Sequence, residues 1–180
     1  MRLSILAAAA LVTISGAADA HPQMTAAATT GFALTDIRAD HGPRLAFHLG
    51  GRFEALFLRD HPRDMAFGGY VEVVTAAFDT VETGGGLSWL VPTQATAFLF
   101  SAGAFARTSS WGWEPGLSTT VFWGSHPFNY HSAYVVGAGL FAQGRYGLAG
   151  GHQADAIVGV QVDLAYLALP FLFAYEAIRR

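Results

Sequence analysis

Between Gln153 and Leu164 the chain reads Q-A-D-A-I-V-G-V-Q-V-D-L, and two unlike faces alternate along it. Ala154, Ala156, Val158, Val160, Val162 and Leu164 fall on one face. Gln153, Asp155, Ile157, Gly159, Gln161 and Asp163 fall on the other. A period of two is the mark of a β-strand, because successive side chains leave a pleated backbone on opposite sides. One face has no polar side-chain atom over six positions, while the other carries two acids and two amides. Such a strand suits a wall between hydrocarbon and water.

The same pattern recurs. Over 44–58, Leu45, Phe47, Leu49, Gly51, Phe53, Ala55 and Phe57 oppose Arg44, His48, Arg52 and Glu54. Over 67–78, Phe67, Val71 and Val73 oppose Tyr70 and Glu72. Further strands are predicted over 85–91, 95–107, 117–124 and 132–146, which makes seven. A short strand over 31–37, or the C-terminal segment, brings the count to eight. Turns are expected at 59–65, 79–84, 109–116, 125–131 and 147–152, where Pro, Gly and charged residues gather.

Composition narrows the fold class. Charged residues make up 13% of the chain, against roughly 25% in soluble domains, and 52% is hydrophobic. After the N-terminal segment no apolar run reaches the roughly 20 residues a transmembrane helix needs. A chain too apolar for water and without spanning helices is expected to be an antiparallel, up-and-down transmembrane β-barrel. The absence of cysteine excludes disulfides and thiolate metal sites. A net charge of −3 offers no basic surface for nucleic acid.

Residues 1–20 read as a signal peptide: Met1-Arg2, an apolar stretch from Leu3 to Ile14, then Ala18-Asp19-Ala20 with cleavage before His21. The expected organisation is a signal over 1–20, a leader over 21–43, a barrel over 44–169 and a helix or edge strand over 170–180. Pro170 at a helix N1 position, followed by F-L-F-A-Y-E-A-I-R-R, favours the helix.

Placement of charge is the strongest sign of which side faces what. Arg44, His48, Arg52, Glu54, Glu72, Arg107, Arg145, Asp155 and Asp163 all share the polar faces of their strands. An arginine on the lipid side at mid-depth costs roughly 2–4 kcal/mol, so these nine residues are expected to form an interior polar network. With a turn centred near Gly150, Arg145 and Asp155 stand opposite each other across a hairpin. Trp111, Trp113, Trp123, Phe128, Tyr130 and Tyr134 lie near strand ends, where headgroup-level aromatic rings are favoured.

On these residues the chain from Arg44 to Leu164 resembles the small eight-stranded outer-membrane barrels of Gram-negative bacteria, of the OmpX and OmpA-barrel kind. The resemblance implies an envelope protein in contact with outer-membrane lipid, with a structural or interaction role. It departs from that pattern in ending Ile178-Arg179-Arg180 rather than on an aromatic residue, and in two short strands, 85–91 and 117–124.

Some such barrels are lipid-modifying enzymes that need a hydroxyl, a histidine and a carboxylate within hydrogen-bond reach. The segment H-P-F-N-Y-H-S, His126 to Ser132, is the candidate, but adjacent His131 and Ser132 point to opposite faces of a strand. The seven histidines show no metal-binding spacing. No catalytic residue, metal or cofactor is therefore expected. Two alternatives stay open: a lipid-modifying enzyme in which a loop conformation brings His131 to a nearby hydroxyl, and a soluble periplasmic barrel holding an apolar ligand.

Overall fold

The structure, a computed structural model, describes residues 22–37, 42–109, 112–127, 137–149, 152–166, 175 and 179. Eight antiparallel strands close into a barrel in which every strand pairs with its sequence neighbours and β8 returns to β1. They are β1 (Gln23–Thr35), β2 (Arg44–Phe57), β3 (Ala66–Ala76), β4 (Thr80–Pro92), β5 (Ala97–Ser109), β6 (Gly112–Ser125), β7 (Ala138–Gly147) and β8 (Ala154–Asp163). A helical turn over 164–166 follows β8. The segment predicted as helix or edge strand, 170–180, lies almost wholly outside the described residues.

β1 begins and β8 ends at the same rim, here called the terminal end. The connections 58–65 and 93–96, the end of β6 and the start of β7 lie there too. Residues 36, 37, 42, 43, 77–79, 148, 149, 152 and 153 lie at the far end.

Three predicted boundaries are corrected. The leader over 21–43 contains β1, which pairs with both β2 and β8 and is a full member of the barrel. Its small residues hid it: Ala26 and Ala28 on one face and Ala27 and Thr29 on the other show little contrast. The turn over 79–84 is confined to 77–79, and β4 starts at Thr80. β6 likewise starts at Gly112, inside the predicted loop. The strands that read as short thus have 13 and 14 residues, and all eight have at least 10.

Glycine explains why β4 was misjudged. Gly84 reads as the end of a turn over 79–84 and Gly85 as the start of a short strand, yet the Gly84-Gly85-Gly86 run lies in mid-strand where backbones approach closely. Gly86 faces Gly103 across the β4–β5 seam; Gly31 faces Gly159 and Gly124 faces Gly139 across two others. All six positions point inward. A Cβ at Gly103 would lie against the Gly85 carbonyl and 2.7 Å from the Tyr70 hydroxyl, closer than real Cβ atoms come. Bare backbone here lets the sheet coil tightly and leaves the lumen to large side chains elsewhere.

A Gly103→Leu variant should therefore fail to close, losing the compact, fast-migrating form on unheated gels. Gly51→Ala, whose added carbon meets nothing within 4 Å, should migrate like the native chain.

Candidate functional site

The lumen is the chemical centre of the molecule. Strand alternation aims one residue in two into it, and the inward set is rich in long polar side chains. Near the terminal end Leu56, Leu90, Leu99 and Phe122 form an apolar layer, each no more than 2% exposed. Below it, groups of opposite charge follow one another across the barrel.

The series starts at His126, just beyond β6, whose Nε2 lies 3.1 Å from Glu54 Oε2. Glu54 Oε1 accepts from Arg52 Nη2 at 3.0 Å and from Ser88 Oγ at 2.6 Å. Arg52 also donates to Ser101 Oγ at 2.6 Å, lies over the Tyr70 ring at 3.9 Å and sits 3.8 Å from Glu72. Glu72 accepts from Arg145 at 2.8 Å and from Gln143 at 3.1 Å. Arg145 donates on to Glu82, and Glu82 accepts from Arg107 Nε at 2.7 Å. Arg107 donates to Asp155, whose other oxygen accepts the Asp36 backbone N–H at 3.0 Å. The ladder runs from the terminal end to the far rim, with Phe105 against two of its guanidiniums.

Seven of the nine residues expected inside are buried in this lumen: His48, Arg52, Glu54, Glu72, Arg107, Arg145 and Asp155. His48 stands apart from the ladder, with Nε2 3.3 Å from Thr29 Oγ1 and its ring against Phe141. The structure puts Arg44 at the far rim, with its side chain 60% exposed and 3.1 Å from Asp79. A lumen-facing position at the first residue of a strand opens onto solvent. Asp163 is buried at the terminal end, where its carboxylate accepts the Ala165 N–H at 2.9 Å and caps the helical turn.

Arg145 and Asp155 do stand opposite each other in the β7–β8 register. Their side chains nonetheless turn to other partners, Arg145 to Glu72 and Glu82, Asp155 to Arg107. A hairpin argument sees only neighbours along the sheet, whereas a closed barrel lets side chains reach across the lumen.

Glu82 and Glu114 were not foreseen, because both fell in segments read as turn or loop. Extending the alternation Thr83, Val81 back from β4, and Pro115, Trp113 back from β6, would have turned both inward. Ser88, Ser101, Gln143 and Tyr70 carry no charge, and their inward parity was the signal for them. Arg59 and His126 lie past strand ends, and nothing in the local pattern marks them as buried. Arg59 donates to Gln23 at 3.1 Å and to the Pro127 carbonyl at 3.1 Å, filling the terminal mouth.

The arrangement can bear charge but lacks the order of a nucleophilic site. Ser88 and His126 each bind a different oxygen of Glu54, so the carboxylate stands between the hydroxyl and the imidazole. A working triad needs the histidine in contact with the hydroxyl. Among the described residues no group of three or more His, Asp or Glu is arranged to hold a metal ion. His131 and Ser132 lie outside the described residues, as do Trp111, Phe128, Tyr130 and Tyr134. Trp113 and Trp123 occupy opposite ends of β6. No protein-family model, curated protein or solved structure matches the chain.

In the 58–65 connection the N–H groups of His61, at 2.7 Å, and Asp60, at 3.1 Å, converge on Asp64 Oδ2. They hold its carboxyl below the usual aspartate range. A carboxyl lowered on folding supports its loop above the ordinary aspartate range and releases it as pH falls through the lowered value. Protection of the Asp60 and His61 amides against exchange, relative to the unstructured chain at the same pH, should fall only in that acid window, and at all pH values in Asp64→Asn.

The ladder predicts a sharp contrast between two arginines. Removing Arg145 takes one of two cationic partners from both Glu72 and Glu82, so Arg145→Ala should lower the unfolding free energy in urea by about 3 kcal/mol. Arg44→Ala breaks only an exposed pair and should change it by no more than about 1 kcal/mol.

Proposed function

We propose that this chain is an integral outer-membrane β-barrel with a structural or interaction role in the cell envelope, its lumen closed by the charge ladder. One observation carries the reading. Among the described strand residues no Arg, Asp, Glu or His occupies an outward position, while large apolar side chains there stand in the open. Phe32, Leu45, Phe53, Phe67, Val71, Val73, Leu87, Leu140 and Val158 are 39% or more exposed. A soluble barrel has the reverse arrangement, with its apolar face inward and charge outside.

Three further features support it. Every strand has the roughly 9–11 residues that a tilted span requires, or close to that number and more. Outward rings line up near the terminal end: Phe67 stacks on Trp89 at 5.9 Å, and Trp89 meets Phe100 at 5.9 Å. Near the far end Phe47 and Phe78 pair at 6.4 Å. Such rings suit the headgroup levels of a bilayer. An apolar groove of about 720 Å³ runs over the outer wall between Phe32, Phe47, Trp123 and Leu140. Lipid acyl chains are the partner that surface fits. Export through residues 1–20 belongs to the same reading.

The lumen argues against a general pore. Eight strands leave an interior that side chains can fill, and here Arg52, Tyr70, Glu72, Phe105, Phe141 and Arg145 are each 6% exposed or less.

Fractionation should recover the protein with outer membranes, extractable by detergent and shifting in gel mobility on heating. Recovery in the soluble periplasm would overturn the proposal. A sharper check is Val71→Arg at the middle of β3. In lipid vesicles it should cost about 2–4 kcal/mol; no effect would mean that Val71 faces water.

A further inference from the structure

The far end of the barrel is recessed. A cavity of about 330 Å³ opens there, within the size range of small-molecule sites. Its upper wall carries Asp36, Arg44, Asp79 and Thr80, its floor Glu82, Arg145 and Asp155, and Ala33, Val74, Ala76 and Ile157 line the sides. His48 lines it too, although the residue is only 1% exposed. Thr29 occupies its Nε2, and Nδ1 has no partner among the described residues.

We propose that this cavity binds a small organic cation, an alkyl chain carrying a primary ammonium or guanidinium group. The charge inventory selects the sign. Asp36, Asp79, Glu82 and Asp155 line the cavity against two guanidiniums, Arg44 and Arg145, so carboxylates outnumber cationic side chains there four to two. A cation entering from the far end offsets that excess.

At the rim Arg44 is already taken by Asp79. The Asp36 side chain has no partner among the described residues, since the Asp36 bond to Asp155 uses its backbone N–H. The Asp36 carboxylate and His48 Nδ1 are therefore the acceptors offered to an N–H donor. The apolar flank of Val74, Ala76 and Ile157 suits methylene groups. Low-dielectric walls around this excess concentrate the attraction for positive ligands. The site requires only the closed barrel, and it stands whether or not the outer wall meets lipid.

The test is titration of 1,4-diaminobutane into the full chain folded in detergent micelles, with folding checked separately by heat-modifiable migration. Saturable one-to-one shifts of the Asp36, Thr80 and Gln153 amides are expected. Asp36→Asn keeps a residue that tolerates the positive φ of 59° at this position. It should weaken binding about tenfold or more, as should His48→Gln, while Asp60→Asn at the other end leaves it unchanged. Absence of saturable shifts in a folded barrel would overturn the proposal. So would equal affinity in both cavity variants, or tighter binding of inorganic phosphate at the same amides.

Discussion

The barrel depends on keeping its charges out of hydrocarbon by giving them to one another. Strand alternation forces half of all side chains into a space too narrow for bulk water. Charge placed there must find partners or raise the energy of the closed form. The ladder from His126 to Asp155 meets that demand by sharing: Glu72 serves Arg52 and Arg145, while Glu82 serves Arg145 and Arg107. Each guanidinium thereby ties together strands that do not touch through their backbones. Arg107 on β5 reaches β8, and Arg145 on β7 reaches β3 and β4. Sheet hydrogen bonds fix neighbours, whereas these side chains fix the cross-section.

Buried ion pairs are weak sources of net stability but strong sources of penalty when disrupted. The arrangement therefore acts chiefly on specificity. A β2 strand slipped by one residue would turn Arg52 and Glu54 toward the outer face, and a slipped β5 or β7 would do the same to Arg107 or Arg145. Every slip by an odd number of residues exposes charge there and strands its partner inside, so the polar lumen and the uncharged exterior enforce the same alignment. The inward glycines complete the device by freeing the volume that these long side chains occupy.

Much of this was legible because alternation and charge are both written residue by residue. Strands β2, β3, β5 and β8 were evident, as were the inward positions of Arg52, Glu54, Glu72, Arg107, Arg145 and Asp155. Legibility failed where the two faces look alike. β1, with its alanines and threonines, read as a leader, and the Gly84–Gly86 run concealed the start of β4 and with it Glu82. Partner choice was also illegible. Arg145 and Asp155 are opposite in register, yet the distances that decide pairing run across the lumen and follow from closure and strand tilt. His126 and Arg59 escaped notice because they enter the lumen from beyond strand ends, where no periodicity applies.

The pairing of β1 with β8 has a consequence for how such a molecule comes together. Seven of the eight seams join consecutive strands through short connections, so each forms with little loss of chain freedom. The eighth joins opposite ends of the chain and must wait until both are brought together. Slow, non-local closure is thus concentrated in one place, at the seam holding the bare Gly31 and Gly159 pair. Until that seam forms, β1 and β8 are two free sheet edges able to recruit other chains. The same stretch that announces the strand pattern, Ala154 to Asp163, is therefore also the latch whose timing separates a finished barrel from an open, adhesive sheet.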